Sequence, residues 1–142
     1  GLAAERATGY DRDMLQQCVE RMKSAHERQD FAEEAKVDLE FHSLIGEMAH
    51  NLVLLHTLRS CYKLLSEGIF QNRSRLYEKP GARQALYDQH MAIADAILAG
   101  NREAAGQAAR DHMSYVMEKS LEMDNEAERE RISGLRFRKR ER

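Results

Sequence analysis

The sequence contains few of the residues that interrupt helices: one proline, Pro80, and eight glycines among 142 residues. Ala, Leu, Glu, Arg and Met are abundant instead, and such a composition favours helices. No segment alternates apolar and polar residues in the way that a half-buried strand requires. We therefore predict an all-α protein, and the length suffices for one domain with an adequate core.

Three further absences exclude whole classes of protein. The formal net charge is only −2, so no overall basic field attracts the chain to nucleic acid. No apolar run reaches the ~18 residues of a membrane span, and no signal-peptide pattern is present. Cys18 and Cys61 form no Cys-x-x-Cys motif, so we expect a reduced, cytoplasmic setting.

Residues that start and stop helices predict an antiparallel bundle of about six helices. In the first half of the chain, Asp11 suits the N-cap of a helix over about 11–29. Asp30 suits the N-cap of the next helix, which is expected to end near residue 50. A third apolar series spans about 54–77 and predicts a further helix.

The second half of the chain carries equally clear boundaries. Pro80 suits the first turn of a helix that reaches Leu98. Gly100 is expected to end that helix and Asn101 to cap the last one, which continues towards Ser133.

Four side chains that can bind a metal lie on apolar helix faces: Asp38, His42, His90 and His112. Asp38 and His42 are four residues apart, so they project from one face of a helix, one turn apart. An unpaired polar group in an apolar interior would cost a few kcal/mol, and one metal ion would satisfy all four. A carboxylate and three imidazoles suit Zn first, and Ni, Fe or Mn accept the same donors.

Simpler interpretations remain open for each of these residues. One histidine on an apolar face is usually a core histidine, and an Asp–His pair at this spacing is often a surface pair. Spacing alone therefore leaves metal binding and a polar core as alternatives. Among the other histidines, His26 lies in a charged stretch and is predicted to be solvated, while His50 and His56 are weaker ligand candidates.

Two segments, DLEFHSLIGEMAHNLVLLHTLR and QALYDQHMAIADAILAGNREAAGQAARDHMSYV, together resemble a known regulatory domain. It is the C-terminal effector-binding (FCD) domain of GntR-family transcription regulators of the FadR subfamily. The residues that carry the resemblance are Asp38, Phe41, His42, Asn51, His90, Ala96, Ile97, Gly100, Asn101, Ala108 and His112. The likeness extends to about Glu118, and it favours pyruvate- and lactate-responsive members of the family.

The resemblance implies an FCD-type bundle in which Asp38, His42, His90 and His112 bind a divalent metal. Residues 1–8 look like the end of a truncated first helix, so we expect an effector-binding domain over 1–121 and a charged extension over 122–142. An N-terminal winged helix-turn-helix domain, absent from this sequence, would bind operator DNA. The family also implies a homodimer.

A small carboxylic acid is the expected effector. Four protein ligands on a metal that accepts six leave two positions, which suit a pyruvate- or lactate-like acid or a dicarboxylate. The polar residues that can line the outer end of the acid are Asn51, Arg59, Asn72 and Arg73. Structural interpretations compete here, because Asn51 can serve as a helix cap and the arginines can be solvated.

Two other functions use the same residues. A metal-dependent enzyme would need a general base or nucleophile beside the four ligands, and none is evident, so we predict that the chain is not an enzyme. A structural metal in a dimerisation module would be closed to added ligands. The basic end of the chain, which includes Phe137, could contact DNA phosphate, but a solvated extension is the favoured interpretation.

Overall fold

The computed structural model describes residues 1–57, 60, 75–77 and 79–140, with 136 and 138–140 described by their backbone alone. Every regular element within those residues is a helix, which confirms the predicted all-α bundle. The principal helices are α1 (Leu2–Arg6), α2 (Gly9–Glu27), α3 (Phe31–Met48), α4 (52–57), α5 (Ala82–Leu98) and α6 (Arg102–Arg140). None of the described helices combines the length and apolar character that crossing a membrane requires.

The chain divides into two units, Gly1–His112 and Met113–Arg142. The first contains the hydrophobic core and all four candidate metal ligands. The second is helical over its described residues and carries ion pairs three residues apart, such as Lys119–Glu122 at 2.7 Å. Such exposed pairs contribute little to stability, because water and salt screen the attraction between their charges. The predicted domain border at residue 121 stays a prediction.

The start of α2 differs from the prediction. Thr8, not Asp11, is the N-cap: the Thr8 hydroxyl accepts a hydrogen bond from the Asp11 N–H, and the Asp11 carboxylate accepts from the Thr8 N–H at 2.7 Å. The prediction failed because Asp11 is the third helical residue, where a carboxylate completes a capping box. His50 Nε2 also lies 2.8 Å from this carboxylate, so α2 is joined to the residues that follow α3.

The other helix boundaries largely follow the prediction. Asp30 caps α3 by accepting from the Glu33 N–H at 3.1 Å, which confirms its role. Asn101 likewise accepts from the Ala104 N–H at 3.0 Å, after Gly100 ends α5 with a φ of +68°. The placement of Pro80 in a first helical turn is wrong, because Gly81 forms the N-cap of α5 with a φ of +77° and Pro80 precedes it.

The core forms where α2 packs against α3 and α5, with α1 against the same two helices. Three residues join α2 to α3, and such a short connection makes the two helices antiparallel neighbours. The buried residues of the core are Ala3, Ala4, Leu15, Cys18, Met22, Val37, Phe41, Met48, Ile93, Ala94, Ile97 and Ala105. Because Phe41 and Ile93 stand beside candidate ligands on α3 and α5, the same packing fixes the position of the site.

Candidate metal centre

Three helices bring the three predicted histidine ligands together. His42 lies on α3, His90 on α5 and His112 on α6, and one ligand nitrogen from each lies within 4.8 Å of the others. The ring centres are 5.3 Å apart for His42 and His112 and 4.6 Å apart for His90 and His112. Side chains that are 48 and 22 residues apart in the sequence thus share one small volume.

Asp38 completes the group from the α3 side. Its Oδ1 lies 3.0 Å from Nε2 of His90 and 3.8 Å from Nε2 of His42. Asp38 and His42 therefore lie on one face of α3, as the four-residue spacing predicts. Asp38 is thus adjacent to two of the three converging histidines, His90 and His42.

Burial makes this arrangement chemically significant. Asp38, His90 and His112 are 2%, 3% and 1% exposed, and the His42 side chain is 21% exposed. Although Asp38 Oδ1 is only 3.0 Å away, the buried Nε2 of His90 forms no hydrogen bond among the described residues. A buried polar nitrogen without a hydrogen bond is costly, and coordination to a metal would remove that cost.

The two separations between Asp38 and its neighbouring histidines fit ligands of one metal ion. Ligands held about 2.1 Å from one ion lie from about 3 to about 4 Å apart, depending on the coordination geometry. The measured Asp38–His90 and Asp38–His42 separations, 3.0 and 3.8 Å, fall in this range. The donor set is borderline in hardness, so it suits Zn and its transition-metal neighbours better than Ca²⁺ or Mg²⁺.

Gln89 orients one of these rings and was missed by the sequence analysis. Its Oε1 lies 2.9 Å from Nδ1 of His112, and an amide oxygen can only accept, so Nδ1 of His112 carries the proton. Nε2 of the neutral ring is then left with its lone pair, which is the form that binds a metal. The one signal in the sequence was the position of Gln89 directly before His90.

Phe41 forms an apolar wall of the centre. Its side chain is fully buried, and its ring centre lies 5.1 Å from that of His90 and 5.6 Å from that of His42. An apolar wall lowers the local dielectric and limits the rotation of both imidazoles, so the ligands are held in place by packing.

The predicted effector-binding residues lie elsewhere or outside the described residues. Asn51 caps α4, with its Oδ1 accepting from the Leu54 N–H at 3.1 Å, which is the structural role left open above. Arg59, Asn72 and Arg73 lie outside the described residues. Contact between any of these four residues and an effector remains a prediction.

The remaining histidines divide into two kinds. His50 is bonded to Asp11 and His56 is exposed, so neither joins the ligand group. The prediction that His26 is solvated is wrong: its side chain is 14% exposed, and its ring stacks on Tyr87 at 4.2 Å. The prediction failed because the cover comes from α5, which is distant in the sequence.

A second charged layer lies beside the candidate ligands. Glu34, which is buried, receives hydrogen bonds from Nε of Arg83 at 2.9 and 3.0 Å. Both residues line a small cleft that has room for about one water molecule and is also lined by Met22, His26, Asp38, Tyr77, Tyr87 and His90. Burial raises the pKa of the Tyr87 phenol, so this residue stays neutral over the physiological range.

Comparisons with known proteins identify the family of this chain. Residues 1–115 match the FCD domain family. A protein of Escherichia coli K12 named for regulation of the L-lactate dehydrogenase operon is 40% identical over 114 residues, which cover 80% of this chain and 43% of that protein. The Glc operon transcriptional activator of the same organism is 34% identical over 118 residues, covering 81% of this chain and 46% of the activator.

A third relative comes from a different bacterium. The HTH-type transcriptional regulator LutR of Bacillus subtilis is 31% identical over 116 residues, covering 81% of this chain and 52% of LutR. The chain thus spans about half the length of the relatives it matches. All three are named as regulators, which confirms the prediction that this domain is regulatory and not an enzyme. The chain belongs to the FCD-domain family of GntR-type transcription regulators.

Proposed function

We propose that this domain is the effector sensor of a bacterial transcription regulator. It binds one divalent metal through Asp38, His42, His90 and His112, and it binds a small carboxylic acid at that metal. The observation that carries the proposal is the convergence of three histidine nitrogens within 4.8 Å, with a buried aspartate 3.0 Å from one of them. Family membership supports the regulatory role.

The chemistry of the donor set favours a transition metal. Zn is the first choice, and Ni, Fe and Mn accept the same imidazole and carboxylate donors, so cellular supply decides between them. When bound, the metal supplies positive charge and open positions for the oxygens of an acid. The chain supplies the rest: Gln89 fixes the His112 tautomer, Phe41 restricts two rings, and Asp38 offsets part of the metal charge.

The names of the relatives support a pyruvate- or lactate-like acid, because one is named for the L-lactate dehydrogenase operon. A 2-hydroxy or 2-oxo acid can fill two adjacent metal positions with one carboxylate oxygen and its 2-oxygen. Such a ligand would draw α3, α5 and α6 together through the ligands that they carry. A regulator of this kind has two arrangements of its helices, with and without the acid. The acid changes the balance between them only to the extent that it binds one arrangement more tightly than the other.

The output would be operator binding by a winged helix-turn-helix domain that belongs to the same regulator. The matched regions cover only 43–52% of the three relatives, which leaves room for such a domain in a full-length protein of their size. We further expect a homodimer in the cytoplasm, as the family resemblance implies.

Calorimetric titration of the purified, metal-loaded domain tests this function. We expect saturable binding of L-lactate or pyruvate that disappears after chelation of the metal and in His90→Ala. His50→Ala is the matched control, because it removes a histidine that is bonded to Asp11 and lies outside the ligand group. Stoichiometric metal without binding of any acid would support a structural metal instead.

A further inference from the structure

Two pairs of polar side chains, which we call layers, lie one helical turn or more apart between α3 and α5: Asp38 with His90, and Glu34 with Arg83. Glu34 stands four residues before Asp38 on α3, and Arg83 stands seven residues before His90 on α5, so each pair shares a helix face. The Glu34–Arg83 contact thus repeats the Asp38–His90 contact one layer away.

One cleft connects these two layers. Its lining includes the candidate ligands Asp38 and His90 at one end and Glu34 and Arg83 at the other. The guanidinium of Arg83 therefore lies along the same cleft as two of the four candidate ligands. His26 and Tyr87, stacked at 4.2 Å, form part of the wall between the two ends.

The Arg83 end already holds a carboxylate. The Arg83 side chain is 20% exposed and the Glu34 side chain is 5% exposed. Nε of Arg83 donates to Oε2 of Glu34 at 3.0 Å, and Nη2 of Arg83 donates to Oε1 at 2.5 Å. Arg83 also donates to the backbone carbonyl of His26, which fixes the plane of the guanidinium. Planar two-point contact is the geometry in which arginine selects a carboxylate.

Space in the cleft determines how a ligand could enter. The cleft accommodates about one water molecule, so a second carboxylate cannot lie beside that of Glu34. A ligand carboxylate can bind Arg83 only if Glu34 withdraws. Exchange of one carboxylate for another keeps the buried cation paired, whereas simple loss of Glu34 would leave it unpaired in the interior.

We propose that Arg83 is a second-carboxylate subsite, at which a 2-hydroxy or 2-oxo dicarboxylic acid bound to the metal displaces Glu34. This inference rests on the proposed function, since the first carboxylate and the 2-oxygen occupy the metal. Glu34 is then an internal competitor that occupies Arg83 until the dicarboxylate arrives. A monocarboxylate reaches the metal but leaves the Glu34–Arg83 pair intact.

L-malate and L-lactate form a matched pair of probes, because they share the 2-hydroxy acid end and differ by one carboxylate. In metal-loaded Arg83→Gln, we expect the Kd of L-malate to rise at least about tenfold and that of L-lactate to change less than about twofold. In Glu34→Gln, we expect L-malate to bind about tenfold more tightly, because its competitor has lost its charge, with L-lactate unchanged. Arg21→Gln, which removes an exposed arginine paired with Glu33 and Glu40, is the control and should change neither Kd.

The outcomes separate this inference from the proposed function. Suppose that L-lactate binds in a metal-dependent way, but Arg83→Gln changes the Kd of both acids alike or Glu34→Gln does not lower the Kd of L-malate. The proposed exchange at Arg83 is then wrong, and the proposed effector-sensing function is unaffected. If neither acid binds the metal-loaded wild type, both proposals are overturned.

A double variant keeps the subsite testable if Glu34→Gln alone fails to fold. Glu34→Gln/Arg83→Gln removes both charges together, so no buried ion is left unpaired. We expect it to bind L-lactate like the wild type and L-malate at least about tenfold more weakly. Wild-type affinity of the double variant for L-malate would overturn the subsite.

Discussion

Oε1 of Gln89 lies 2.9 Å from Nδ1 of His112, so the residue beside one candidate ligand holds the ring of another. Gln89 and His90 are adjacent on α5, while His112 comes from α6. The contact fixes both the protonation and the direction of the His112 ring before any metal binds. It thereby preorganises the centre.

Replacement of Gln89 should therefore weaken metal binding without unfolding the domain. We expect Gln89→Leu to lower metal affinity about 10- to 100-fold, as loss of the group that orients a ligand commonly does. Gln89→Glu, which keeps an acceptor at this position, should retain the affinity. Competition with a chromophoric chelator measures the metal affinity of both variants. The control is Gln107→Leu, which removes an exposed glutamine from α6. Equal metal affinity of Gln89→Leu and the wild type would contradict this role.

The capping box of α2 gives a prediction that depends on pH. Burial alone would raise the pKa of Asp11, but hydrogen bonds from Thr8 and the contact with His50 outweigh it, so the pKa is lowered. A lowered pKa means that the carboxylate stabilises the fold above its unfolded pKa of about 3.9 and loses this effect as pH falls through the folded value. Asp11→Ala should cost about 1 kcal/mol at pH 7.

Urea denaturation across a pH series checks this prediction. The stability difference between the wild type and Asp11→Ala should persist from pH 7 to about 4 and shrink as the pH falls further. Asp13→Ala, which removes an exposed carboxylate two residues away, should change little at any pH. A difference that stays constant down to pH 3 would contradict the assigned role of the Asp11 charge.

Cys18 should be chemically inert in the folded protein. Burial raises the pKa of its thiol to about 11, so under about one molecule in a thousand carries a thiolate at pH 7.5. In a Cys61→Ser background, we expect iodoacetamide to alkylate Cys18 slowly in the native domain and rapidly in urea, as followed by mass spectrometry. Rapid native alkylation would show that the core around Leu15 and Met22 opens readily.

Two glycines should respond oppositely to the same substitution. Gly100 has a φ of +68°, a conformation that residues with a Cβ rarely adopt, so Gly100→Ala should cost about 1 kcal/mol. Gly9 is the first residue of α2 and a Cβ there meets nothing within 4 Å, so Gly9→Ala should be neutral or slightly stabilising. Thermal unfolding measures the stability of both variants. A similar loss of stability in each would contradict the argument that the positive φ of Gly100 makes that position sensitive.

Local features of the sequence were sufficient to predict much of this fold. Asp30 and Asn101 were identified as caps because a cap depends on bonds within three residues. Asp38 and His42 were placed on one face because helical spacing alone fixes it. The error at Asp11 was also local: Thr8 three residues earlier completes the box, and both residues suit either position.

What escaped prediction depends on contacts between helices. The partner of Gln89 lies 23 residues away, and that of Glu34 lies 49 residues away. His26 sits among charged residues in the sequence, yet Tyr87 covers it. Helical periodicity tells which face of a helix is buried, but the residue that it meets follows from how α5 lies against α2 and α3, which no single segment specifies.

Metal analysis of the purified domain tests the central claim most directly. After loading with Zn²⁺ and removal of free metal, elemental analysis should find about one ion per chain in the wild type and in His50→Ala, and essentially none in His90→Ala or His112→Ala. Retention of the metal by both ligand variants, or failure of the folded wild type to bind any, would contradict a centre built from Asp38, His42, His90 and His112.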